Sequence, residues 1–359
     1  MPILAAYLHD LSPFLVRFGD GLGLRWYGLA YALGFLVGYQ IMKRLAKRGF
    51  TPIPADRIAD AMLMLIACVI IGGRVGYVLI YDRPLLWQFS GDFPFWGMLA
   101  LNKGGMAYHG ALVGVMLGGW WVARGFKDSQ GVRRGATPWR HVMDLLALAC
   151  TVGLGLGRVA NFINGELLGK VVAQPGQPAP WWSVKFPQEL ISGHTDVTRA
   201  EPQLTALDQL LVTYAPEQPT FDAAAYRVID LLQNGGETGG KIAKGLEPLL
   251  SARHPSQLYQ AFFEGVVLTA VVWIVARKPR LPGIVGCWFL ITYGALRVVA
   301  EFYRLPDTQF AEGRPLGLSR GQWLSAAMVA AGALVLAWIV NKGGEKMGGW
   351  AQRTDAVKA

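Results

Sequence analysis

Seven stretches of the chain are apolar for roughly 20 residues, long enough to span a bilayer: approximately 26–45, 59–81, 105–123, 141–163, 259–276, 283–303 and 321–341. Short polar loops separate most of them. The exception is a polar segment from about 167 to 258, between the fourth and fifth stretches. The pattern predicts an all-α polytopic membrane protein with about seven transmembrane helices. It divides the chain into helices one to four (1–166), an extramembrane insertion (167–258), helices five to seven (259–341) and a tail (342–359).

The loop charges orient the spans. Lys43, Arg44, Lys47 and Arg48 follow the first, and Arg124, Lys127, Arg133, Arg134 and Arg140 follow the third against one acid, Asp128. Arg277, Lys278 and Arg280 follow the fifth, and Lys342, Lys346, Arg353 and Lys358 follow the seventh. The 82–103 loop instead balances Arg83 and Lys103 with Asp82 and Asp92, and the 304–320 loop is similarly mixed. Basic loops stay in the cytoplasm, so the N-terminus is expected outside and the C-terminus inside. The 167–258 insertion then lies outside. Its first part carries Trp181 and Trp182, suited to a membrane interface. Its 196–250 section is rich in Asp, Glu, Gln, Ala and Gly and reads as loosely ordered.

Composition agrees with a membrane protein. The chain is 53% hydrophobic and only 16% charged, outside the range of soluble domains. The net charge of +10 sits in loops beside apolar runs, where it determines topology and does not imply nucleic acid. Cys68, Cys150 and Cys287 are irregularly spaced within apolar runs and match neither a metal site nor a disulfide framework. No internal repeat is evident, which argues against a transporter built from duplicated halves.

The fourth span contains the most unusual stretch, Gly157-Arg158-Val159-Ala160-Asn161-Phe162-Ile163-Asn164-Gly165-Glu166. A cation at membrane depth costs about 2.5 kcal/mol or more, so it normally faces protein or a wet cavity. At about 1.5 Å per residue, Arg158 lies about 25 Å across the membrane from the start of its span, and Arg297 and Glu301 lie about 20 and 27 Å across from theirs. His109 is only about 6 Å below the outer start of the third span, and Tyr27 opens the first at the same face. These groups share one outer level. Tyr293, Arg297 and Glu301 also recur at helical spacing, with Arg304 three residues on. Arg74, in the second span, either joins the same cavity or bridges helices. Arg297 and Glu301 alone also suit a structural ion pair, and His109 a packing histidine among glycines.

Two arginines in a low-dielectric cavity suit a phosphodiester anion. The chain has no HExxH, kinase set or P-loop, and its cysteines lie away from the shared level. An enzyme built this way holds a phospholipid head group while a second substrate attacks. A lipid or solute transporter with an arginine-lined cavity is the alternative.

The 157–166 stretch resembles the signature of the bacterial prolipoprotein diacylglyceryl transferases. So do Arg25-Trp26-Tyr27-Gly28-Leu29, the 104–110 run, His254-Pro255-Ser256-Gln257-Leu258-Tyr259 and the 293–304 run, all in the family's order. Ala160 departs from a common glycine and Arg25 from a common histidine; neither removes a charge the chemistry needs. The 196–250 section is longer than the family leads one to expect. The resemblance implies a seven-span enzyme of the bacterial inner membrane with a periplasmic insertion. It implies transfer of the diacylglyceryl group of phosphatidylglycerol to the lipobox cysteine of prolipoprotein signal peptides, with no cofactor and no metal. Arg158 and Arg297 then clamp the phosphate, Asn161 and Asn164 orient the head group, and Glu166 and Glu301 position the arginines or bond the glycerol. Tyr27, Tyr293 and Arg304 line the site, and His109 is the candidate base for the thiol.

Overall fold

A computed structural model describes residues 6–19, 23–91, 93–100, 104–305 and 318–352. The 304–320 loop and the end of the tail, with Asp92, Lys103, Arg353 and Lys358, lie wholly or largely outside the described residues. Helices occupy all seven apolar stretches: α1 (Trp26–Lys47), α2 (Ile58–Ile80), α3 (Tyr108–Ala123), α4 (Trp139–Asn164), the composite helix Ser256–Val275, α10 (Ile284–Glu301) and α11 (Arg320–Lys342). Among the described residues, five helices are long and apolar enough to cross a membrane: Ala55–Ile80, Trp139–Asn164, Ser256–Val275, Ile284–Glu301 and Gly321–Lys342. The protein is a multi-pass helical membrane protein.

α3 is shorter than its apolar run. It starts at Tyr108 rather than 105 because Gly104 and Gly105 adopt φ +80° and +83°. Their carbonyls accept hydrogen bonds from Arg74, at 2.8 and 2.9 Å. At 16 residues α3 by itself is shorter than the roughly 20 of an ordinary span, and the non-helical residues 105–107 make up the start of the apolar run.

The chain folds as two compact units, one of Met1–Phe35, Thr151–Thr269 and Ile291–Ala330, the other of Leu36–Cys150, Ala270–Leu290 and Ala331–Ala359. In the second, α2 and α3 pack backbone to backbone. A Cβ on Gly110 would stand 2.2 Å from the Gly72 carbonyl, and one on Gly76 2.6 Å from Gly110. Small residues permit that approach, which is how helices associate where burial supplies no drive. Asp144 of α4 accepts the Gly283 and Gly286 N–H groups, both at 2.7 Å, and so caps the start of α10.

Helix dominates, as expected, and the first unit adds a few short strands. Strands β1 (Tyr7–Leu8), β6 (Val171–Ala173), β7 (Val184–Lys185) and β8 (Ala252–Arg253) form one sheet in the order β1-β7-β8-β6. Strands of two or three residues leave no alternation to read in sequence. The 196–250 section, whose composition reads as loosely ordered, forms α5 (Glu201–Tyr214), α6 (Phe221–Asn234) and α7 (Glu237–Leu246) around Leu207, Leu211, Val228, Ile242 and Leu246, all buried. Thr220 caps α6 by accepting the Ala223 N–H at 3.2 Å. Beside the sheet, buried Glu189 accepts bonds from Arg253 at 3.0 Å, from Arg199 at 2.5 Å and from the Ser251 hydroxyl. Arg253 also forks onto Asp196 at 2.8 and 3.1 Å.

Candidate functional site

The site begins with a helix crossing. Gly155 of α4 lies against Gly265, where a Cβ would stand 2.7 Å from the opposing Cα. Three residues beyond Gly155 comes Arg158, and beside Gly265 stands Glu264. The close crossing brings them together: Arg158 Nε donates to Glu264 Oε2 at 2.8 Å. Glu264 sits in a π-helical turn, Ala261–Val267, and is only 1% exposed. Single π turns inside helices recur at functional sites. This carboxylate was not among the residues singled out from sequence, although it is the one charged residue in 256–276. The membrane-depth cost that marks Arg158 marks Glu264 equally.

Arg297 of α10 joins the same carboxylate, its Nη1 lying 3.9 Å from Glu264 Oε1. Nη1 also donates to Gln260 Oε1 at 3.1 Å, one turn before Glu264. Along α10, Arg297 Nη2 lies 3.9 Å from Glu301 Oε2, and Arg304 Nη1 lies 3.9 Å from the same oxygen. Glu301 is anchored at the start of α11, where the Ser319 hydroxyl donates to Oε1 at 3.2 Å. Ser319 and Gln322 cap that helix reciprocally, Ser319 Oγ accepting the Gln322 N–H at 3.1 Å and Gln322 Oε1 the Ser319 N–H at 2.9 Å. A helix N-terminus favours the adjacent carboxylate. Tyr293, one turn before Arg297, interacts with Arg158. An alternating chain results: Arg158, Glu264, Arg297, Glu301, Arg304.

The end of α4 supplies a second, amide-rich group. Gly165 takes φ +67°, a left-handed conformation that turns the chain so the Glu166 N–H bonds the Asn161 carbonyl at 3.0 Å. The Glu166 carboxylate then accepts from Asn161 Nδ2 and Asn164 Nδ2, each at 3.0 Å. Asn161 also reaches the Tyr27 hydroxyl at 3.2 Å. Gln257, of the 254–259 motif, donates to the Glu166 carbonyl and fastens the turn from behind. His254 stacks on Trp182 with ring centroids 5.1 Å apart, and burial together with nearby Lys170 holds its pKa below the ordinary histidine value.

The first unit thus contains Tyr27, Arg158, Asn161, Asn164, Glu166, Tyr293, Arg297, Glu301 and Arg304. His109 belongs to the second unit, exposed on the first turn of α3, its ring 5.9 Å from that of Tyr108. Arg74 is spent structurally. Besides Gly104 and Gly105, it bonds the carbonyls of Gly97 at 2.6 Å and Met98 at 2.7 Å, stapling the loop before α3 to α2.

A family model for prolipoprotein diacylglyceryl transferase matches residues 13–338. The phosphatidylglycerol–prolipoprotein diacylglyceryl transferase of Bdellovibrio bacteriovorus is 35% identical over 366 residues, covering 98% of this chain and 99% of the relative. Its counterpart from Salmonella choleraesuis is 35% identical over 340 residues, covering 94% and 97%.

Proposed function

This chain belongs to the prolipoprotein diacylglyceryl transferase family, and from that premise we propose that it moves the diacylglyceryl group of phosphatidylglycerol onto the lipobox cysteine of a prolipoprotein. The thiolate attacks the glyceryl carbon that bears the phosphate. A carbon–sulfur bond forms, the carbon–oxygen bond breaks, and its electron pair departs on the phosphate as glycerol phosphate. Negative charge grows on that phosphate through the reaction, and fixed guanidinium groups stabilise it most where water is scarce.

The observation that supports this reading is the convergence of Arg158 and Arg297, from different helices, on one buried carboxylate. Held side by side, they form the clamp for the phosphodiester. Asn161 and Asn164, ordered by Glu166, orient the glycerol head group. Tyr27 and Tyr293 add hydroxyls, and Glu301 holds Arg297 and Arg304 in register. His109 takes the thiol proton, since imidazole works near neutral pH and the thiolate is the nucleophile. The nucleophile and the leaving group both come from the substrates, so the protein supplies no covalent nucleophile.

The reading places the protein in the bacterial inner membrane, with α1 and α3 completing seven spans. The N-terminus and the 167–258 insertion face the periplasm, and the tail faces the cytoplasm. A lipid transporter gains no support from the relatives, which are transferases by name. Purified protein, phosphatidylglycerol vesicles and a lipobox peptide test the proposal directly. The expected products are the thioether-linked peptide and glycerol phosphate in equal amounts. Folded protein that leaves the peptide unmodified overturns it.

A further inference from the structure

We propose that His9 is a positioning residue for head-group binding, because it fixes the turn at the end of α4 that carries Asn161, Asn164 and Glu166; this rests on the head-group role given to those side chains above. The last carbonyls of a helix have no partner within it. The turn itself serves two of them in α4. The Asn161 carbonyl accepts the Glu166 N–H at 3.0 Å, and the Phe162 carbonyl accepts the Gly165 N–H at 2.9 Å. The Phe162 carbonyl also takes a second bond, at 2.7 Å, from His9 Nε2. A carbonyl only accepts, so the ring carries its proton on Nε2 and donates.

His9 lies 153 residues before Phe162 and reaches it because strand β1 is tied into the sheet. β1 pairs in parallel with β7, Tyr7 opposite Val184 and Leu8 opposite Lys185. The His9 N–H extends that pairing by donating to the Lys185 carbonyl at 2.9 Å. The ring is fully buried, its centroid 5.3 Å from that of Phe162 and 5.1 Å from that of Phe186. The same sheet holds the turn again, just beyond β8, which pairs with β7. There Ser256 Oγ donates to the Leu167 carbonyl at 2.9 Å, and Gln257 donates to the Glu166 carbonyl. One sheet thus grips the turn at both ends, His9 after β1 and Ser256 with Gln257 after β8. Without the His9 bond, the backbone between Asn161 and Glu166 is held at one end only. The two amides then lose the fixed spacing with which both reach the Glu166 carboxylate at 3.0 Å.

The test is the KM for phosphatidylglycerol, as its mole fraction in mixed detergent micelles, with full-length protein and a saturating lipobox peptide. His9→Phe fills the aromatic space without the donor, and His9→Gln keeps an N–H within reach of the carbonyl. His9→Phe should raise KM about three- to tenfold, the worth of one hydrogen bond. His9→Gln should stay within about twofold of wild type. A purely structural role lowers the amount of folded enzyme, and with it the maximal rate, at unchanged KM. Wild-type KM in folded His9→Phe therefore overturns the proposal, as does a His9→Gln KM raised as far as that of His9→Phe. Should His9→Phe not fold, His9→Asn, whose amide falls short of the carbonyl, is held to the same criterion. If neither folds, the bond serves stability alone, which also overturns the proposal. If Asn161→Ala keeps the wild-type KM, the amides have no part in head-group binding, a failure of that reading and separate from any failure at His9.

Discussion

Gly155 and Gly265 meet so closely that a Cβ on either would stand within 2.8 Å of the other's Cα. That contact sets the distance between α4 and the Ser256–Val275 helix, and with it the bond from Arg158 to Glu264. Replacing Gly265 by valine should push the helices apart at a cost of about 1–3 kcal/mol. It removes no charged group, yet a displacement of about 1 Å at the clamp should lower transfer about 10²-fold. Transfer rate and thermal melting in detergent, measured together, check this. Unimpaired transfer would show that the crossing does not position the clamp.

Arg158→Ala and Arg297→Ala should each abolish transfer in protein that still folds. Lysine should rescue poorly, because a point charge lacks the fork that binds two oxygens at once. Turnover of phosphatidylglycerol is the readout, and near-wild-type rates from either alanine variant contradict the clamp.

The orientation of the chain is open to direct measurement. A reporter active only outside the cytoplasm should be active when fused at about residue 215, after α5, and silent at about residue 130. The opposite pattern reverses every span.

His109→Gln should retain lipid binding but slow transfer by about 10² to 10⁴ if the imidazole takes the thiol proton. The deficit should narrow as pH rises towards the free thiol pKa of about 8.5, where solution supplies thiolate unaided. Parallel pH profiles for variant and wild type would leave His109 without a catalytic role.

His9 should make the first unit sensitive to acid. Its Nε2 bonds the Phe162 carbonyl at 2.7 Å, within the signature stretch, and its Nδ1 is buried without a partner. Burial lowers its pKa from 6.5, so the folded protein holds the ring neutral where the unfolded chain would protonate it. The unfolded state therefore binds more protons between the lowered pKa and 6.5, and stability rises with pH across that window. Melting temperature should fall as pH drops below about 6.5, and His9→Gln should reduce that fall. An identical slope in the variant assigns the acid sensitivity elsewhere.

Local patterning was enough to locate the seven long apolar helices and the side chains out of place in them, though not α5 to α7, whose polar composition hid them. Apolar runs of about 20 residues are a local signal, and so is the cost of Arg158, Arg297 or Glu301 at membrane depth. The motifs from Tyr27 to Arg304 made the family legible for the same reason, since each is contiguous. Tertiary structure decided the pairing. Arg158 and Glu264 are 106 residues apart, and no periodicity relates them. Their bond depends on a glycine crossing that only the packed helices reveal. Arg74 shows the converse: the same kind of residue in the same kind of run spends its donors on loop carbonyls. A buried charge announces itself in sequence by its cost, but the partner that offsets the cost is a property of the fold.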